Sequence, residues 1–226
     1  MLVEVPQVLT EDEVAHCRRV LEETDWIDGK VTAGFQSARA KNNLQVPETA
    51  PQAQELQRLI LQSLKRNPLF TTAALPLRIF PPLFNRYDQG MHFGAHVDNA
   101  LRFPPTGGGP IRTDVSVTLF LTDPATYDGG ELVIEDTFGT QSVKLEAGSA
   151  IVYPSSSLHR VEPVTRGSRW ASFFWLQSMV RDDGQRRLLF EMDQAISSLS
   201  ARTPDDPAVI QLTACYHNLL RRWAEV

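Results

Sequence analysis

The chain holds five histidines: His16, His92, His96, His159 and His217. One of them stands in His96-Val97-Asp98, where an imidazole and a carboxylate are separated by a single residue. In a β-strand, residues i and i+2 project to the same face. The spacing therefore lets His96 and Asp98 grip one metal ion from the end of one strand. A third ligand must come from elsewhere, and His159 is the best placed of the other histidines, because it follows a strand expected over 149–153 after a short loop. Two histidines and one carboxylate form the facial triad of non-haem ferrous centres, which leaves coordination positions open for substrates.

Beyond His159, Arg169 opens the last expected strand, 169–176. Alternation puts Arg169, Ala171, Phe173 and Trp175 on one face. If that face lines a cavity, a cation enters apolar surroundings, where an unpaired charge is costly. A bound carboxylate, gripped by two guanidinium nitrogens, is the natural partner. An internal acid or a place on the rim is the other reading.

The remaining candidates carry less. His92 precedes His96 by four residues, too far along an extended strand to share an ion, so its expected role is substrate contact or support of the site. Arg86 is read either as meeting an acidic substrate or as half of a surface ion pair. Trp175, on the face of Arg169, is expected to touch substrate or to back the site. Gly107-Gly108-Gly109 is no phosphate loop, since neither a following Lys-Ser/Thr nor a helix opens there. Ser155-Ser156-Ser157 lacks the glycines of a nucleophile elbow. Asp128-Gly129-Gly130 reads as a turn.

The elements that would position these groups fall into three parts. Residues 1–77 form a helical support region. Leu2 to Val5 is a short strand, and Thr10-Glu11-Asp12-Glu13 is a capping box for a helix that buries Val14, Cys17 and Leu21. Asp28-Gly29 marks a hairpin or loop within 26–34. Pro51 to Arg66 is a second helix with Leu56, Leu59, Ile60 and Leu64 inward, and Pro68 stops it. Residues 78–178 change texture to short strands with frequent turns, which indicates a β-sandwich or jelly roll. Within them 114–121 alternates cleanly, Phe138-Gly139 turns, and the glycine-rich stretch Pro104 to Pro110 is a loop expected to move. Residues 179–226 are a C-terminal helical pair, over 185–198 and 208–223, with Leu188, Leu189, Met192 and Ile196 in phase on the first. The pair either flanks the barrel or forms a surface for homo-oligomers.

The 226 residues suffice for a large core, and 42% apolar with 22% charged residues is usual for a globular chain. A net charge of −5 and a pI near 5.6 speak against a nucleic-acid binder. Cys17 and Cys215 fall in apolar helical patterns and read as buried thiols. There is no basic, apolar leader at the start and no run long enough to cross a membrane, so a reducing cytoplasm is the expected compartment.

The order Tyr87, His96-x-Asp98, Gly129-Gly130-Glu131-Leu132, His159, Arg169 resembles the prolyl-4-hydroxylase type of Fe(II)/2-oxoglutarate dioxygenases over about residues 78–178. With Asn85-Arg86-Tyr87, Arg112-Thr113-Asp114 and the opening Met1 to Leu9, nearly the whole chain is similar to the bacterial PKHD-type hydroxylases, a group that includes iron-uptake-associated proteins. The resemblance implies a fold that is mainly β with flanking α, a double-stranded β-helix (jelly-roll) core. It implies Fe(II) on His96, Asp98 and His159, and 2-oxoglutarate with its far carboxylate on Arg169 and a hydrogen bond from Tyr87. Many relatives carry lysine where Arg169 stands; arginine keeps the ion pair and adds a second hydrogen bond. O2 as co-substrate, succinate and CO2 as co-products and L-ascorbate as reductant follow from the same resemblance. The hydroxylated substrate is either a peptidyl-proline-like residue or another side chain, or a small molecule such as a siderophore. Two other readings stay open: a non-catalytic iron or 2-oxoglutarate sensor acting through a partner protein, and a zinc hydrolase, which leaves an inward Arg169 unexplained.

Overall fold

The computed structural model describes residues 1–32, 37–105, 107–136 and 139–226. Gly34 of the expected 26–34 loop, Thr106 of the glycine-rich loop and Phe138 of the expected Phe138-Gly139 turn lie outside the described residues.

Strand Val115–Phe120 shows how the pattern builds layers. All six residues are buried, so both of its faces are covered. Val115, Val117 and Leu119 join the main core with Leu21, Leu56 and Ile60 of the helices. Ser116 and Thr118 line an interior cavity, and Phe120 packs with Ile134 and Val161 of other strands.

That strand is central to an eight-stranded sheet. Its order is Val3–Val5, Ala150–Pro154, Val115–Phe120, Ser168–Ser178, Leu83–Asp88, Leu44–Gln45 and Ile27–Asp28, with Pro76–Ile79 added beside Ser168–Ser178. A second sheet of five strands runs Gly139–Val143, Leu132–Asp136, Leu158–Val161, His92–His96 and Lys41–Asn42. The pairings within both sheets are antiparallel. Tyr87, Phe120 and Tyr153 of the larger sheet meet Leu132, Ile134 and Val161 of the smaller in one cluster. Two facing sheets whose spatial neighbours are remote in sequence make a jelly roll, mainly β with flanking helices, as expected.

Helices cover the outer face of the larger sheet. Glu11–Glu22 starts on the expected capping box: Glu13 N donates to Thr10 Oγ1 at 3.2 Å, and Thr10 N donates to the Glu13 carboxylate at 2.9 Å. Pro51–Lys65 buries Leu56, Ile60 and Leu64. Pro68 does more than stop that helix. It opens another, Pro68–Ala74, at a first-turn position that needs no N–H, while Asn67 Oδ1 accepts from Phe70 N at 2.9 Å.

At the C-terminus, Asp183–Arg202 and Pro207–Trp223 pair and pack through Leu189, Tyr216, Leu219, Leu220 and Trp223 onto Leu75 and Val180. Two expectations fail here. Leu188 is 57% exposed, because adjacent helical residues point about 100° apart and Leu189 occupies the buried stripe. Cys215 is exposed on the last helix, whereas Cys17 is buried; both are free thiols. Among the described residues no helix is long and apolar enough to cross a membrane.

Candidate metal centre and its cavity

His159 does not hang from a loop. It sits inside the strand Leu158–Val161, directly opposite His96 across the ladder. Cross-strand partners stand close enough for their side chains to meet, and the two rings are 4.3 Å apart. Asp98 follows immediately after the His92–His96 strand, and its Oδ2 lies 3.7 Å from His159 Nε2. One donor atom from each of His96, Asp98 and His159 falls within 4.8 Å of the others.

Each ligand is held from behind. His96 Nδ1 lies 2.9 Å from Gly94 O, and His159 Nδ1 lies 3.0 Å from Ser157 O. In both rings Nδ1–H therefore donates to the carbonyl two residues upstream, which leaves the Nε2 lone pair for a metal. Burial, then the neighbouring His159, lowers the His96 pKa to about 4, so this ring is neutral as a ligand must be. Ser116 Oγ donates to Asp98 Oδ2 at 2.6 Å. Ser116 has one hydroxyl proton to give, so the buried Ser155 Oγ, 2.8 Å away, donates into Ser116.

The Arg112-Thr113-Asp114 segment fixes the loop that carries Asp98. Thr113 Oγ1 donates to Asn99 O, and Thr113 N to Ala100 O at 3.0 Å. Arg112 forks onto Asp114 at 2.7 and 3.1 Å, and Asp114 in turn accepts from Ser178 N at 2.9 Å.

The cluster opens into a cavity of about 730 Å³, open mouth included, with Arg169 in its wall. Arg169 is 1% exposed, and its Nε and Nη1 are buried with no hydrogen-bond partner. No described carboxylate pairs with it, which leaves the internal-acid reading without support. The rings of Tyr87 and Phe120 lie 5.3 and 5.2 Å from its Cζ.

Gly129-Gly130 is more than a turn. A Cβ on Gly130 (φ +68°) would stand 3.1 Å from Arg169 Cδ and 3.2 Å from the Tyr127 ring, and one on Gly129 (φ +71°) only 2.1 Å from Pro163 O. Glycine lets the chain press against the arginine's stem.

Tyr87 and Tyr153 also line the cavity. Burial raises the Tyr87 pKa to about 12 and Tyr153 well above its ordinary value, so both phenols are protonated donors near neutrality. Asn43 stands close enough to Tyr87 to oppose that rise, yet neither of its side-chain polar atoms reaches hydrogen-bond geometry. Trp175 forms a wall beside Phe80 and Phe173.

Two expected residues are not brought to the cavity. Arg86 lies between Asn85 and Tyr87, so alternation turns it outward, where it pairs with Asp88 at 2.8 Å and covers Trp170. His92 would share the face of His96 in a regular strand. A bulge intervenes: Phe93, not Gly94, pairs with Val161, and Phe93 stacks on His96 at 3.6 Å. His92 is left at the exposed end of the strand, by Gly90. Conversely, Lys41, Asn43, Gln45 and Arg102 line the cavity and were not singled out by sequence. Lys41 and Gln45 lie on two-residue strands, too short for any periodicity to mark.

Residues 82–177 match the family model of the 2OG-Fe(II) oxygenase superfamily, and residues 183–225 match that of the PKHD-type hydroxylase C-terminal domain. A PKHD-type hydroxylase of Methylobacterium nodulans is 64% identical over 227 residues, covering all of both chains. One from Gluconobacter oxydans is 62% identical with the same coverage. Among solved structures, a Pseudomonas putida prolyl-4-hydroxylase is similar with a TM-score of 0.52 at 23% identity, over 78% of this chain and 92% of that one.

Proposed function

The chain belongs to the PKHD-type hydroxylases of the 2OG-Fe(II) oxygenase superfamily and is a dioxygenase; from that premise we propose that His96, Asp98 and His159 hold its iron and Arg169 anchors 2-oxoglutarate. The observation that carries the reading is the buried arginine with two orphaned nitrogens in the wall of the cavity that holds the His-Asp-His cluster. A carboxylate of a dicarboxylic co-substrate supplies what those nitrogens lack. The donor set fits ferrous iron, since two imidazoles and one carboxylate each bring a donor atom within 4.8 Å of the others, the ligand types of a non-haem ferrous centre. When bound, the iron supplies the redox chemistry that couples conversion of 2-oxoglutarate and O2 into succinate and CO2 to hydroxylation of a second substrate.

The chain's own part is positioning and exclusion of water. Arg169 fixes one end of the co-substrate, and the Tyr87 hydroxyl offers it a hydrogen bond. Ser116, backed by Ser155, holds the Asp98 carboxylate in one orientation. Phe93 and Tyr153 pack on the two imidazoles and keep them dry. Ascorbate as reductant, a role in iron uptake, and a substrate that is peptidyl-proline-like or siderophore-like belong to the same proposal and rest on family resemblance.

Anaerobic addition of Fe(II) and 2-oxoglutarate tests it, with a metal-to-ligand charge-transfer band expected and Fe(II)-dependent succinate release once O2 is admitted. A band that survives His96→Ala, or succinate release that survives Asp98→Ala, would remove the assignment. The sensor reading has one observation in its favour, the exposed Leu188 and Ile210 on the C-terminal helices. Recovery of a hydroxylated product excludes it.

A further inference from the structure

We infer that Tyr127 is the positioning residue of the 2-oxoglutarate anchor: its buried hydroxyl accepts an N–H of Arg169 and fixes the guanidinium in the pose that grips the far carboxylate. The inference rests on the proposed role of Arg169, because it concerns what holds that side chain from behind.

Tyr127 is fully buried, and among the described residues its hydroxyl has no hydrogen-bond partner. Nε and Nη1 of Arg169 are in the same state. The two side chains flank one glycine: a Cβ on Gly130 would touch Arg169 Cδ and Tyr127 Cε2 alike. Burial raises the Tyr127 pKa and the Arg169 charge opposes the rise, so a protonated phenol and the guanidinium act on each other through a dry interior. Two nitrogen donors without an acceptor thus stand by a hydroxyl without a partner, short of the geometry of a bond. Buried polar groups are as a rule paired, and these three are left open in the ligand-free chain.

A guanidinium carries five N–H donors in a rigid fork, and a carboxylate held bidentately accepts two of them. Arg169 lines the cavity and Tyr127 does not. The co-substrate therefore meets the fork from the cavity, and the phenol meets it from the protein side, as acceptor for a donor left over. The ring is built as a fixed post. A Cβ on Gly167 (φ +71°) would stand 3.1 Å from both Cα and Cβ of Tyr127. Lys144 Nζ donates to Tyr127 O at 2.7 Å and lies 4.1 Å from the ring centre. Tyr127 is thus confined at its backbone by Gly167, at its edge by Gly130 and on its face by Lys144. Phenylalanine would fill the same space without burying an unpaired hydroxyl, so packing alone does not account for the oxygen.

The test titrates the full chain, saturated with Mn(II), with 2-oxoglutarate and with 2-oxopentanoate, which keeps the chelating oxo-acid end and lacks the far carboxylate. Calorimetry reads both affinities. Tyr127→Phe should weaken 2-oxoglutarate roughly tenfold, the range of one hydrogen bond to a charged group. It should leave 2-oxopentanoate unchanged and the ligand-free Tm at or above that of the parent. In an Arg169→Met background the same exchange should alter neither ligand further, because two residues that act as one unit do not add. Unaltered 2-oxoglutarate affinity in Tyr127→Phe overturns the inference. So does equal weakening of both ligands with a fall in Tm, the mark of a merely structural residue. A tenfold effect that persists without Arg169 overturns it as well, since the hydroxyl then acts on its own. In each of these cases Arg169→Met still weakens 2-oxoglutarate and the anchor stands. If Arg169→Met leaves that affinity intact, the anchor itself has been misplaced and both readings fall.

Discussion

Replacing Arg169 by methionine should stabilise the ligand-free protein and weaken its 2-oxoglutarate complex. In the ligand-free chain the guanidinium is 1% exposed with two orphaned nitrogens. Each buried unsatisfied donor costs about 1–3 kcal/mol. The ring contacts with Tyr87 and Phe120 offset part of this, at about 0.5–2 kcal/mol each. The balance favours methionine, which keeps the length of the stem, by about 1–2 kcal/mol, in keeping with other exchanges of buried charge for apolar side chains. In a chain of this size that raises Tm by about 2–8 °C. The complex moves the other way. Removing one partner of a buried charge pair costs about 3–5 kcal/mol, so the Kd for 2-oxoglutarate should rise roughly 10²- to 10⁴-fold. Thermal denaturation with and without Mn(II) and 2-oxoglutarate reads both effects. The parent should gain Tm with the co-substrate, while the variant starts higher and gains little. A ligand-free variant that melts below the parent, or one that keeps the full gain, would refute the argument that Arg169 waits unpaired for a carboxylate.

Other consequences are as direct. Ser116→Ala removes the hydrogen bond on Asp98 Oδ2 and should weaken Mn(II) binding about 10- to 100-fold by EPR titration, with Ser155→Ala doing less; unchanged affinity would show that the serine relay is idle. Gly129→Ala places a Cβ 2.1 Å from Pro163 O at a positive φ and should cost about 2–4 kcal/mol in urea denaturation. Gly107→Ala, also at positive φ but with open space around it, should cost about 1–2 kcal/mol, and equal losses would contradict the packing argument. Lys41 titrates at about 7 in the fold and near 10.5 when unfolded, so between those values the unfolded chain binds the extra proton. Ligand-free stability should therefore rise from about pH 7 towards pH 10, and Lys41→Met should flatten the rise; parallel slopes in parent and variant would sink this.

The His-Asp-His cluster is legible because its signal is local. His96 and Asp98 are two residues apart, and Arg169 belongs to the strand Ser168–Ser178, where Arg169 and Trp175 line the cavity while Trp170, Phe174 and Leu176 join the main core. The layering of Val115–Phe120 was readable for the same reason. What could not be read depends on departures from regularity or on distant pairing. The bulge that brings in Phe93 and turns His92 away is marked in sequence by Gly94 alone, and a lone glycine in a strand does not say which neighbours shift. Lys41 reaches the cavity because Lys41–Asn42 pairs with His92–His96, some fifty residues on, and a strand of two residues has no period. Ser155 belongs to a serine triplet unsuited to hydrolysis, and its partnership with Ser116 arises only when strands 115–120 and 150–154 lie side by side. Pro68 carries two opposite meanings, stop and start, and only the Asn67 cap decides between them.

The proposed metal ligands and the arginine belong to different sheets. His96 and His159 stand on the five-stranded sheet with Asp98 just beyond it, and Arg169 stands on the eight-stranded one. The gap between them is therefore set by the thickness of the core, through Phe120, Leu132, Ile134 and Tyr153, and by neither sheet alone. With both ends of a diacid tied down, that thickness acts as a gauge of chain length. With iron and Arg169 placed as proposed, a co-substrate one methylene shorter or longer has to forfeit one of the two, although no single residue is dedicated to rejecting it. Selectivity of this kind is a property of how two layers are spaced, and a core substitution far from iron can retune it.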